Sequence, residues 1–369
     1  MRLDTGKRVD TINAASHDDL ADIDYGCLQA LSISAVRDAF RWHLIETAPG
    51  LYDWSSVRSQ LAAARRAGVQ VCWDLAHFGL PDWLDPWGPD FVARFADYAE
   101  AAGRMIARES EAAPFWCPIN EISYWAFAGG DCGHFAPLGV GRGAEWKSRL
   151  VAASLAAVDR LRAVDPRARF LQPEPVVHVV SDMPGEDEAT DQTHSTYEAW
   201  DMLCGRACPE LGGHAQCLDI VGVNFYSNNQ WTASGRRLGM GDIGYRPLSQ
   251  LLLDVWQRYR RPIMLSETGA EGANLRGWLR YIAGEVADAE AAGVQIVGVC
   301  LYPVMDYAGW TDDRHCACGV IGLSPDKTRY VREDDALLLR EVFAQKMPWV
   351  APPTTQPGRP SEPAAAVPA

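Results

Sequence analysis

The sequence predicts an α/β fold, specifically a (β/α)8 TIM barrel whose first strand is missing or degenerate. Three observations support this. Short apolar runs with β character alternate with longer segments of helical period, the pattern of repeated βα units around a parallel sheet. A chain of 369 residues holds one such barrel with insertions, because α/β barrels run past about 250 residues as a single domain. Polar side chains close one apolar run after another, and in these barrels the working residues sit at the C-terminal ends of the strands.

Strands are expected near residues 33–37, 69–76, 115–120, 168–173, 218–224, 262–266 and 294–302. Between them, 56–67, 89–109 and 145–164 carry apolar residues at three- and four-residue spacing with charges between, as amphipathic outer helices do. Residues 18–31 have the same period and read as the first outer helix, which puts 33–37 at the second strand position. Ahead of that helix, residues 1–16 hold Arg2, Asp4, Lys7, Arg8, Asp10 and Asn13 among few apolar residues. Barrel strands are buried and rich in Val, Ile and Leu, so this segment reads as a loop, and the first strand is expected upstream of Met1. The acidic stretch 181–192 lacks apolar periodicity and is expected to be an exposed loop after a strand. Residues 1–349 then form one barrel domain, and 350–369, rich in Pro and Ala, form a disordered tail.

The formal net charge of −14 argues against a nucleic-acid partner, since phosphate binding draws on clustered Lys and Arg. No apolar run approaches the roughly 20 residues of a membrane span. The N-terminus lacks the apolar core, about 7–15 residues long, of a secretory signal, so a cytoplasmic location is expected. Ten cysteines in such a chain read as reduced thiols. The tightest group, His315-Cys316-Ala317-Cys318, lacks the two-residue gap of a zinc knuckle, so neither metal nor other cofactor is expected. Nothing in the pattern specifies an oligomeric state.

The strand ends offer Arg37, His77, Asn120 with Glu121, Glu174, Asn224 with Tyr226, and Glu267, a polar ring centred on carboxylates. Cleaving a glycosidic bond needs two carboxyl groups. One protonates the departing oxygen, and the other attacks the anomeric carbon or activates water. Glu121 and Glu267 supply such a pair only if a barrel brings the fourth and seventh strand positions to one rim. A lone Glu of this kind is ordinarily a solvated loop residue, so the surrounding residues matter.

Trp116-Cys117-Pro118-Ile119-Asn120-Glu121 resembles the W-x-T-L-N-E-P segment of family 1 glycoside hydrolases of clan A, and Pro262-Ile263-Met264-Leu265-Ser266-Glu267-Thr268-Gly269 resembles their P-I-Y-I-T-E-N-G segment. Arg37 with Trp42 five residues on is similar to R-F-S-I-S-W, His77-Phe78-Gly79-Leu80-Pro81 to H-W-D-L-P, and the DIVGVNFY run ending at Tyr226 to D-F-I-G-I-N-Y-Y. The resemblance spans roughly residues 18–342.

It implies a retaining β-glycosidase that hydrolyses a small-molecule β-linked glycoside through a covalent intermediate, with Glu267 as nucleophile and Glu121 as acid/base. It also implies sugar contacts from Arg37, His77, Asn120, Asn224, Tyr226, Tyr302 and Trp310. Glu174 is not counted among them. Of the fourteen Trp residues, Trp83, Trp87, Trp125 and Trp231 also fall in loops after strands, where packing is the ordinary role.

This chain departs from the family pattern at several positions. Gly309 replaces a Glu that grips the outer hydroxyls, Tyr302 replaces a platform Trp, Ile122 replaces the Pro after the acid, and the first-strand Q-I-E-G segment is absent. The identity of the sugar is therefore left open. Transglycosylation on the same site and a non-catalytic sugar-binding barrel remain alternatives.

Overall fold

A computed structural model of the chain describes residues 1–182 and 187–343. Seven parallel strands form one sheet in chain order: β1 (Ala35–Ala39), β2 (Gln70–Ala76), β3 (Phe115–Ile119), β4 (Arg169–Pro175), β5 (Ile220–Asn224), β6 (Ile263–Thr268) and β7 (Ile296–Leu301). Each coincides with one of the expected strands. The sheet curls into a nearly closed barrel: Arg37 on the β1 edge reaches across to bond Ser266 O and Glu267 on β6, one strand in from the other edge.

The longer helices among the described residues are α1 (His17–Ala30), α2 (Ser55–Ala67), α3 (Phe91–Glu109), α4 (Gly143–Val164), α5 (Asp187–Leu203), α6 (Leu248–Tyr259), α7 (Asn274–Ala291) and α8 (Glu333–Phe343). Their apolar stripes face the barrel and one another. α3 buries Phe91, Phe95, Ala99, Ala102 and Ile106, a helical repeat, and packs along α4, which buries Leu150, Ala157 and Leu161. A Cβ at Gly103 would sit 2.9 Å from Leu161 Cδ2, so a larger residue there would have to push that side-chain end aside.

β3 and β5 are buried along their whole lengths, whereas β1 and β7 are partly exposed, because among the described residues each lacks a neighbour on one side. Residues 1–16 do not fill the gap. Arg2 bridges Arg8, Leu3 bridges Phe135, and the Met1 amino group donates to Val9 O at 2.8 Å, so the segment begins as the loop its composition predicts, but Thr11–Ala14 form a short helix capped by Asp10 that the expectation did not include. Leu28, Leu31, Val36, Val299 and Leu339 line the gap, part of a cavity of about 770 Å³ that continues to Arg37 and Glu267.

One expectation is corrected. The stretch 181–192 is not all loop, because α5 begins at Asp187. The apolar anchor comes later, where Ala199, Trp200, Met202 and Leu203 are buried. A window ending at 192 does not contain that anchor. The expected tail, 350–369, and residues 344–349 of the expected barrel domain lie outside the described residues.

The loop after β7 is clamped by Asp306, fully buried, which accepts from Gly319 N at 3.0 Å, Leu323 N at 3.2 Å and Arg332 Nη2 at 2.7 Å. That clamp sets the path of the segment from Tyr302 to Trp310.

Candidate active site

The rim at the C-terminal ends of the strands is organised by Arg37, whose side chain is 6% exposed. Its Nη1 donates to Glu267 Oε1 at 2.9 Å and to Ser266 O at 3.0 Å. Nε and Nη2 donate to the two Asp74 carboxylate oxygens at 3.2 and 2.5 Å, and Nη2 also donates to Asn120 Oδ1 at 2.8 Å. Burial alone disfavours a charged guanidinium, but Asp74 and Glu267 outweigh it and keep Arg37 cationic. Asp74, whose burial pushes in the opposite direction, is held below the ordinary carboxylate range by Arg37 and His77.

Both Glu267 oxygens are engaged, since Tyr226 OH donates to Oε2 at 2.9 Å. Burial, and then the charge of Glu267, raises the Tyr226 phenol well above its ordinary value, so it remains a donor. Glu121 is held differently. Its Oε1 accepts from Asn224 Nδ2 at 2.8 Å, and Asn224 Oδ1 accepts from Ser266 Oγ at 2.7 Å, which orients the amide with its NH2 toward Glu121. Burial, and then the negative charge of Glu267, pushes the Glu121 carboxyl well above the ordinary carboxylic range. The backbone at Glu121 is in the left-handed region, φ 47°, between β3 and a short helix, Ile122–Trp125.

His77 Nδ1 lies 3.1 Å from Asp74 Oδ2, and its Nε2 lies 3.3 Å from Asn120 Nδ2. Ionised Asp74 only accepts, so Nδ1 carries the proton and Nε2 accepts from Asn120. The Tyr302 ring stacks on His77 with centroids 6.3 Å apart. Trp310 lines the same cavity, set edge-on to Phe78, and its Nε1 has no hydrogen-bond partner among the described residues.

Arg37, His77, Asn120, Glu121, Asn224, Tyr226 and Glu267 thus share one hydrogen-bonded network, with Tyr302 and Trp310 at its side. Reading the sequence missed Asp74, although a lone Asp inside the apolar run of β2, three residues before His77, is a visible signal. Glu174, a strand-end residue not counted among the sugar contacts, is 1% exposed and accepts from Ser123 N at 3.0 Å. The loop Trp residues mostly pack. Trp83 Nε1 donates to Glu46 O, Trp125 is fully buried with Nε1 donating to Ala136 O, and Trp87 lies beneath the Arg142 guanidinium. All ten cysteines are unpaired. Among the described residues no cluster of three or more His, Cys, Asp and Glu is placed to hold a metal, and no helix is long and apolar enough to cross a membrane.

No protein-family model and no curated protein matches the sequence. Solved structures do. The β-glucosidase from Thermotoga maritima in complex with deoxynojirimycin superposes with a TM-score of 0.74 over 89% of this chain and 87% of that one, at 16% identity. The fold is a TIM barrel like theirs. A hyperthermophilic β-glucosidase mutant matches with a TM-score of 0.74 over 89% of each chain at 18% identity. The AHE enzyme from Alicyclobacillus herbarius matches at 0.73, over 90% of this chain and 86% of that one, with 20% identity.

Proposed function

We propose that the chain is a retaining β-glycosidase in which Glu267 is the nucleophile and Glu121 the acid/base. The observation that carries this reading is that the two carboxyl groups have different partners. Glu267 accepts through both oxygens, from the Arg37 guanidinium and the Tyr226 phenol, while Glu121 accepts from the neutral amide of Asn224 and is pushed by burial and the charge of Glu267 toward its protonated form.

In the first step Glu121 gives its proton to the departing oxygen as Glu267 bonds to the anomeric carbon and the glycosidic bond breaks. Forming the glycosyl ester removes the charge of Glu267, so the proton affinity of Glu121 falls and it accepts a proton from water in the second step. Water's oxygen takes the anomeric carbon, Glu267 leaves as carboxylate, and Glu121 regains its proton. Asn120 and His77, tied to each other and to Arg37 and Asp74, are set to meet sugar hydroxyls, with Tyr302 and Trp310 offering aromatic faces. No cofactor enters this scheme.

An NMR time course on an aryl β-glycoside tests it. The β-anomer of the free sugar is expected first, and Glu267→Ala should abolish turnover. Initial release of the α-anomer would overturn the retaining mechanism.

A further inference from the structure

Glu174 is a buried carboxyl that this reaction scheme leaves without a task. It ends β4, beside β3, and Ser123 N donates to its two oxygens at 3.0 and 3.3 Å. Ser123 is two residues past Glu121. On the other side, Glu121 N itself donates to Pro173 O at 3.1 Å. The adjacent residues Pro173 and Glu174 therefore grip the backbone at Glu121 and just beyond it, where a non-glycine residue is left-handed. Such a conformation costs about 1–3 kcal/mol and persists only where its surroundings over-determine it.

A neutral glutamine oxygen would also accept from Ser123 N, so backbone anchoring alone does not call for an acid. Burying a carboxyl is costly, and here burial raises the Glu174 group to about 7 despite the Ser123 and Ile122 donors and the cation of Lys147, which is itself paired with Glu198. Its charge also acts on Glu121. Facing Glu121 are Glu267 from β6, Glu174 from β4, Arg37 from β1, Asn224 from β5, and the phenols of Tyr124, Tyr226 and Tyr302. Glu267 and Glu174 favour the protonated form of Glu121, whereas Arg37 and Asn224 oppose it.

We propose that Glu174 is a positioning residue for proton transfer: it fixes the backbone that aims Glu121 and, where it is ionised, its charge keeps the proton on Glu121 to higher pH. This rests on the reading of Glu121 as the acid/base.

The test compares kcat/KM across pH for aryl β-glycosides of differing leaving-group pKa, in the parent protein, Glu174→Gln, Glu174→Ala and Glu121→Ala. In Glu174→Gln, which keeps the shape and an acceptor for Ser123 N, the basic limb moves to lower pH. In Glu174→Ala, substrates with poor leaving groups lose on the order of 10- to 100-fold, part of what general acid catalysis supplies, while activated ones keep a nearly parental first step. An unmoved basic limb in Glu174→Gln overturns the proposal, and so does an equal loss across leaving groups in Glu174→Ala. Should Glu174→Ala fail to fold, the limb of Glu174→Gln decides alone. Glu121→Ala separates the two levels. If it shows no leaving-group selectivity, the acid/base assignment itself has failed; if it does and the Glu174 variants behave as the parent, only the role of Glu174 falls.

Discussion

Replacing Arg37 with Met removes the one cation that joins Asp74, Asn120, Ser266 and Glu267. The side chains of Arg37, Asp74 and Glu267 are 6%, 4% and 7% exposed, so solvent cannot take over the lost bonds. Breaking a buried pair by deleting one partner costs about 3–5 kcal/mol, mainly because the other charge stays buried without compensation. Domains somewhat smaller than this barrel lose about 2–4 °C in Tm per kcal/mol, so a fall of about 6–20 °C is expected. The exposed pair Arg104 with Glu100, whose arginine is 61% exposed, is the control, since such surface bridges contribute about 0–1 kcal/mol. The pH dependence has a definite sign. Asp74 has its proton affinity lowered in the native state, so the stability it gains from Arg37 is present above the ordinary carboxylate range and is lost as pH falls toward its depressed value. The Tm gap between parent and Arg37→Met should therefore be wide near neutral pH and narrow in acid. Differential scanning calorimetry across pH measures both. A shift at neutral pH no larger than that of Arg104→Met, or a gap that widens in acid, would refute the reasoning.

Two further outcomes are expected. Glu121→Ala should retain the first step for aryl glycosides with good leaving groups and lose about 10²–10⁴-fold for poor ones, because only the latter need the proton; a leaving-group series in kcat/KM shows whether the loss is selective. Since burial and Glu267 raise the Glu121 carboxyl, kcat/KM should hold through the pH range where an ordinary carboxyl is already ionised and fall only as pH rises through the raised value; a profile already falling near pH 4–5 would contradict the assigned acid.

The sheet was legible in the sequence because each strand is a continuous apolar run between helices of clear period, a signal carried by neighbouring residues. The open edge was legible for the same reason: residues 1–16 lack the composition of a buried strand, and among the described residues the sheet has six neighbour pairs and no partner across β1 and β7. Glu121 and Glu267 stood out because each ends a strand within a distinctive local motif. The start of α5 reads as loop in the sequence because 181–192 is acidic and most of the helix's buried apolar residues lie from Ala199 on.

What only the tertiary structure decided is which side chain faces which. The sequence presents Asp74 as a polar break in a strand and Glu174 as one more strand-end acid. The barrel turns the first into the counterion of Arg37 and sets the second behind the backbone of Glu121. Likewise, the sequence shows that two glutamates exist and on which strands, but not that a guanidinium and a phenol hold one while an amide holds the other. Periodicity records whether a residue is buried and on which face of its own element. The protonation state of a buried carboxyl depends on charges and donors from strands far apart in the chain, brought within hydrogen-bond reach only when the sheet curls.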